Sequence, residues 1–215
     1  MIVAFFPHRF IANELNSGTL QDLVLGDYDG TDDISLNKSL YQVTTGLEYL
    51  HEKKIFHREL KPCNVFISYA DSTVRPTMKL GNFGVYRRGR GQKCVFELSL
   101  SKSWIPSETH TKFTFTVEMD LFALGCLYGF ALSRGRHPFG DDEEIRVSRI
   151  KKKEPMTLTV QHLKNVESSA SVFQLICSLL NADTSQRPPT KAVIKHSFFG
   201  NLNEKNNNST GQGIN

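Results

Sequence analysis

Between Val117 and Ser133 the chain is apolar on almost every side, running through Leu121-Phe122-Ala123-Leu124, Cys126-Leu127 and Phe130-Ala131-Leu132. A helix with no polar face has no side to give to water, so it must run through the middle of a fold. At 17 residues it is short for a bilayer span, and Glu118 and Asp120 sit in its first turn. Acids there suit a helix N-terminus. The segment therefore demands a shell of other elements around it, each with one apolar face.

Such elements are present. Over 34–54 the residues Leu36, Leu40, Val43, Leu47 and Leu50 recur at helical spacing and form one stripe. Asp141, Asp142, Glu143 and Glu144 precede Arg149, Lys151, Lys152 and Lys153, the charge order of a surface helix that complements its dipole. Two further helices are expected near 168–181 and 189–196, and a short one from Ser17-Gly18-Thr19 to about Leu25. Residues 2–6 and 9–15 read as strands separated by Pro7-His8, and 55–85 as short strands joined by polar turns. Residues 86–112 read as a long exposed loop carrying Arg87, Arg88, Arg90 and Lys93, and loops of that length are uncommon unless functional. The Asn-rich stretch 201–215 is expected to be a disordered tail.

The 215 residues, 39% hydrophobic and 22% charged, are ordinary globular material and exclude a collagen-like or wholly disordered chain. A net charge of +4 is too weak to argue for nucleic acid, and no DNA partner is expected. Cys63, Cys94, Cys126 and Cys177 have no CxxC spacing, which favours reduced thiols in a cytoplasmic setting over a metal knot. No apolar run is long enough for a membrane segment, and the start lacks the basic region of a signal peptide.

The segment with chemical content is Phe56-His57-Arg58-Glu59-Leu60-Lys61-Pro62-Cys63-Asn64-Val65-Phe66-Ile67. The string resembles the catalytic loop of protein kinases, His-Arg-Asp-Leu-Lys-Pro-x-Asn followed by an apolar strand. In protein kinases an acid, a Lys two residues on and an Asn five residues on serve as base, phosphate contact and metal ligand. Glu59 stands where that family has its catalytic Asp. Further segments fall in kinase order. Asn82-Phe83-Gly84 resembles Asp-Phe-Gly, with Asn82 replacing the metal-binding Asp. Pro106-Ser107-Glu108 resembles Ala-Pro-Glu, and Asp120-Leu121-Phe122-Ala123-Leu124-Gly125 the start of the central helix. Arg187-Pro188 resembles the late Arg-Pro pair, whose Arg meets the activation-segment Glu, here Glu108. The stretches from Phe10 to Gln21 and from Asp120 to Asp141 are similar to the inositol-requiring kinase–endoribonucleases of the unfolded-protein response and to ribonuclease L.

The resemblance implies an α+β fold of protein-kinase type, a mainly helical large lobe with a remnant of the small-lobe sheet. It divides the chain into last small-lobe strands and hinge (1–16), large lobe (17–200) and tail (201–215). It implies a Ser/Thr protein kinase domain using ATP and Mg²⁺. Glu59, Lys61 and Asn64 would be catalytic. Asn64 and Asn82 would face the metal. Glu14 and Asn16 of the hinge and Phe66 beneath the ring would hold the nucleotide, with Asn13 as gatekeeper. His57 and Phe83 would pack the interior, and Arg58 would read a phosphate on Ser99, Ser101 or Ser103. His137, before Pro138, reads as structural.

The 215 residues hold no Gly-rich phosphate loop and no Val-Ala-x-Lys strand. With Glu59 and Asn82 altered as well, ATP binding is expected to be weak or absent and transfer impaired. The alternative is a pseudokinase, a binding or dimerisation module in stress or RNA-decay signalling. A kinase-lobe dimer fits either reading. RNA is not expected as a partner without a ribonuclease domain, and the protein substrate is left open.

Overall fold

A computed structural model of the chain describes residues 14–31, 33–69, 76–82, 101–112, 115–154, 156–200 and 202. The strands expected at 2–6 and over most of 9–15, the gatekeeper Asn13, Phe83, the basic run Arg87 to Lys93, Ser99 and the tail from 203 lie outside the described residues. Glu14, Leu15 and Asn16 are irregular rather than strand.

A two-residue strand β1 (Gly18–Thr19) leads directly into α1 (Leu20–Leu25). Thr19 makes the turn possible. Its hydroxyl accepts from the Asp22 N–H, while the Asp22 carboxylate takes the Thr19 N–H, a reciprocal cap on the first turn. Then α2 (Leu36–Glu52) carries the stripe expected from the sequence, with Leu40, Val43 and Leu47 fully buried. Strands β2 (Val65–Ser68) and β3 (Thr77–Leu80) follow as an antiparallel pair, and β1 joins the free edge of β2 to make the order β1-β2-β3. In that register Phe66 lies between Thr19 and Lys79.

The helix α3 (Ser107–Lys112) lies inside the segment read from sequence as an exposed loop. Ser103, Ile105, Ser107 and Thr109 are buried there, so the expectation fails over 103–109. The reason is that hydroxyl side chains carry no hydrophobic signal, so a buried segment rich in them reads as surface.

The central helix α4 (Val117–Leu132) is buried at every position from Met119 to Gly129, as its lack of a polar face requires. Around it pack α2, the surface helix α5 (Glu143–Lys152) and α6 (Ser169–Leu179), with α7 (Thr190–Ile194) against α2. The charge order along α5 is as expected, with Asp142 capping its N-terminus through the Ile145 N–H. Leu202, assigned from sequence to the tail, packs on the core. Among the described residues no helix is long and apolar enough to cross a membrane.

The closest approach in the core is between α4 and α6. A Cβ on Gly125 would stand 2.8 Å from the Leu179 Cβ and 3.0 Å from a Leu180 methyl. Gly125→Val is therefore expected to lower stability by about 1–3 kcal/mol through overpacking. A urea midpoint equal to that of the parent chain would show that α4 and α6 can separate freely.

Candidate functional site

The loop after α2 is held from below by one carboxylate. Asp120, in the first turn of α4, is 1% exposed. Its Oδ2 accepts the His57 N–H at 2.8 Å and lies 3.0 Å from His51 Nε2, and its Oδ1 accepts the Arg58 N–H at 2.9 Å. A buried carboxylate is tolerated when several donors replace its water. In return it holds Arg58 at a φ of +71°, a left-handed conformation uncommon for a side chain of this size. The Arg58 guanidinium lies over the Phe115 ring at 4.8 Å. The His57 imidazole is buried, and desolvation pulls its pKa below the ordinary value of 6.5. It is neutral near pH 7, in keeping with the expected packing role.

Above this support the sequence-expected residues meet. Lys61 Nζ donates to Glu59 Oε1 at 2.9 Å and to Ser101 Oγ at 2.6 Å. The carboxylate is 9% exposed and the ammonium 18%. A 3-10 turn over Pro62–Asn64 then lifts Asn64 back across the loop, with its N–H on the Lys61 carbonyl at 2.9 Å. The Asn64 Nδ2 donates to the Glu59 carbonyl oxygen at 2.7 Å. That contact fixes the amide, because only its NH₂ end can serve a carbonyl. Asn64 Oδ1 must then be the atom facing Asn82, and it accepts from Asn82 Nδ2 at 3.1 Å. Asn82 adopts a φ of +61°, which Asn tolerates better than most residues. The Gly81 N–H bonds the Asn64 carbonyl at 3.1 Å. A Cβ on Gly81 would lie 2.4 Å from the Phe66 ring, so Gly is needed there for the chain to pass over that ring.

This donor set does not suit a hard dication. The Asn64 oxygen that would face Mg²⁺ is occupied by an N–H, and Asn82 brings no charge where carboxylates are preferred. Among the described residues no group of three His, Cys, Asp or Glu side chains could hold a metal ion.

Of the expected nucleotide residues, Phe66 lies on β2 next to this loop and Glu14 at the far end of the strand. Both Glu14 carboxylate oxygens accept from Lys79 Nζ at 2.6 Å, and the Ser68 hydroxyl donates to Oε1. The Lys79 bond, then that of Ser68, holds the Glu14 carboxyl below its usual range. Glu14 is thus tied to β2 and β3 by its side chain, while Asn16 is exposed and Phe66 half-buried.

Sequence reasoning missed two contributors. Asp120 was read as a helix-dipole acid, yet a lone Asp in the most apolar helix of the chain already signals a buried carboxylate with a task. Ser101 was read only as a phosphate acceptor, and no local pattern ties it to Lys61, forty positions away. Ser103, the third phosphorylation candidate, is 2% exposed in a 3-10 turn and presents no accessible hydroxyl.

The Glu108–Arg187 pair forms as expected. Arg187 Nη1 lies 2.5 Å from Glu108 Oε1 and donates to the Glu118 carbonyl at 2.7 Å, while Nε donates to the Asn181 carbonyl at 2.9 Å. The Arg187 side chain is 1% exposed and that of Glu108 is 23%. The pair ties α3 to the segments flanking α4 and α7. Arg187→Ala is expected to lower stability by about 3–5 kcal/mol, since it strands a carboxylate in a largely buried place. An unchanged denaturant midpoint would mean that the pair contributes nothing.

His137 is structural as expected. It is buried, its Nδ1 accepts the Phe139 N–H at 3.2 Å, and its ring meets Trp104 edge-on at 4.8 Å. Desolvation first, and then the Arg146 charge, pull its pKa down to about 3. The folded pKa lies below the unfolded one, so the unfolded chain binds the extra proton. The stability this neutral ring contributes is complete above the unfolded value of 6.5 and is lost as pH falls toward the folded one. Urea midpoints should therefore fall from about pH 7 to about pH 5. His137→Asn, whose Oδ1 can replace Nδ1 as acceptor, should flatten that slope. An identical slope in the variant would exclude His137 as its source.

A profile of the protein kinase domain matches residues 6–199. The serine/threonine-protein kinase/endoribonuclease ire-1 of Caenorhabditis elegans is 30% identical over 198 residues, covering 89% of this chain and 20% of its own length. The serine/threonine-protein kinase/endoribonuclease IRE1a of Arabidopsis thaliana is 34% identical over 168 residues, or 76% of this chain and 19% of its own. The human serine/threonine-protein kinase/endoribonuclease IRE2 is 29% identical over 199 residues, with 89% and 21% covered. The chain thus spans about a fifth of the length of these relatives.

Proposed function

Because the chain belongs to the protein kinase domain family, close to the kinase–endoribonuclease group, we propose that it carries a Ser/Thr-kinase-type site in which phosphoryl transfer is impaired. The observation that carries this reading is the Asn82–Asn64 contact. It closes the metal-facing oxygen of Asn64 with a neutral donor, where the family has an Asp carboxylate. Glu59 keeps a carboxylate, the chemical group that a base at this position needs. Its extra methylene displaces the carboxylate by about 1 Å, and a displacement of that size can cost about 100-fold in rate. Its Oε1 is moreover spent on Lys61.

In this reading Lys61 is the phosphate-facing cation, held between Glu59 and Ser101. Phe66 supports the adenine ring, and the backbone of Glu14 and Asn16 meets its edge. Residues 1–16 would close the site from the small-lobe side and 17–200 form the large lobe. ATP is the nucleotide that the family uses. The donor set around Asn64 supports nucleotide contact with little help from Mg²⁺.

A second reading, a pseudokinase that binds or dimerises in stress or RNA-decay signalling, has its own support. The loop residues satisfy one another, so they hold the lobe together whether or not they catalyse. The relatives named above carry an endoribonuclease as well as a kinase in their descriptions.

Thermal shift with ATP, with and without Mg²⁺, tests the proposal. A ligand at about 100 times its Kd stabilises by about 2.7 kcal/mol. The expected outcome is a small shift that Mg²⁺ does not enlarge. Asn82→Asp restores the charge and removes the donor on Asn64 Oδ1, and should make the shift Mg²⁺-dependent. Transfer to a generic basic protein should stay at background in the parent chain. A Mg²⁺-dependent rise of several degrees in the parent, or ready transfer by it, would return the unimpaired kinase to first place.

A further inference from the structure

A cavity of about 300 Å³ lies away from the catalytic loop, bounded by α4, α5, α6 and the start of α3. None of Glu59, Lys61, Asn64 and Asn82 lines it. Its walls are apolar, with Phe122, Phe139, Ile150, Met156 and Leu180. A volume of this size is at the lower end of what small-molecule sites enclose.

What marks the cavity as a site is its polar equipment. Arg187 lines it with a side chain 1% exposed. Nε and Nη1 of that guanidinium are engaged by the Asn181, Glu118 and Glu108 oxygens, but Nη2 has no hydrogen-bond partner among the described residues. Ser107, 8% exposed, also lines the cavity, and its hydroxyl likewise has no partner among them. Two donors that line an apolar chamber offer a bound acceptor a paired contact. At the rim stand Lys153 and Glu154. Glu154 lies 3.9 Å from Lys152, while Lys153 pairs with no carboxylate among the described residues. Of the two rim charges, then, the acid is paired with Lys152 and the Lys153 ammonium is open to an anion.

We propose that this cavity binds a small monocarboxylic acid with an apolar tail, of the medium-chain fatty acid class. The tail takes the place of solvent against the phenyl and aliphatic walls. The carboxylate answers the Arg187 and Ser107 donors, and the charge of Lys153 favours its entry. An alcohol of equal length would fill the walls without the charge, and an amine would bring a third donor with no acceptor for those of Arg187 and Ser107. The site does not depend on the nucleotide reading, because it shares no residue with it.

Cys177 lines the cavity and supplies the reporter. Its thiol is pushed above the ordinary value by burial, so labelling is run at alkaline pH. The rate of iodoacetamide alkylation at Cys177 is followed by mass spectrometry, with Cys63 in the same molecule as reference. Octanoate at about ten times its Kd should slow Cys177 about tenfold by simple occupancy, and leave Cys63 unchanged. Octanol should protect more weakly and octylamine not at all. Lys153→Glu, at an exposed position, should weaken the protection by octanoate several-fold without changing the melting temperature of the free protein. As a check that does not use the thiol, Met156→Trp fills the cavity and should abolish the rise in melting temperature that octanoate gives the parent chain. Absence of Cys177 protection, equal slowing of Cys63, equal protection by octylamine, or indifference to Lys153→Glu would each overturn the assignment.

Discussion

The Asp120 carboxylate is the contact on which the functional half of the molecule rests. It sits at the first turn of the most apolar helix of the chain, and it accepts two backbone N–H groups of the loop after α2 and faces the ring of His51. Removing a carboxylate from water is expensive, and three convergent donors offset that cost only if the loop adopts one conformation. The positive φ of Arg58 is the visible consequence, a local strain held by charge-assisted bonds. The most hydrophobic element of the chain therefore also positions its most polar loop, which makes the core and the site one structure.

Two styles of polar closure coexist in that structure. At the catalytic loop the chain is local and partly neutral, running from Asn82 through Asn64 to the Glu59 carbonyl, with Lys61 bridging Glu59 and Ser101. Each member satisfies the next, so the loop is well held without any bound group. At Arg187 the closure is ionic and joins distant segments. A planar guanidinium can serve a carboxylate and two carbonyls at once, and it still has Nη2 to spare. That surplus, set in an apolar chamber, is what separates the cavity beside Arg187 from ordinary packing space.

Most of the regular fold was legible because periodicity reports burial directly. The stripe on α2 and the unbroken apolar surface of α4 needed no partner to be recognised, and the charge order of α5 identified an outer helix. The motif residues Glu59, Lys61 and Asn64 were legible for a different reason, since their spacing is set by the chemistry of one short loop. Glu108 and Arg187 were recognised as a pair only through resemblance, because seventy-nine positions separate them. Residues 103–109 were misread, since buried hydroxyl side chains carry no hydrophobic signal.

By itself, then, the sequence determined the longer helices, which of them lies at the centre, and which residues share the loop after α2. These follow from local spacing and from the free energy of burying apolar surface, both of which are properties of the chain taken in order. Tertiary structure alone decided where the polar groups find their partners: Ser101 on Lys61, Lys79 on Glu14, the loop N–H groups on Asp120, and the Asn82 amide on the oxygen of Asn64. Hydrogen bonds act over about 3 Å and depend on direction. Two residues far apart in sequence come within that reach only after the core has fixed the backbones that carry them.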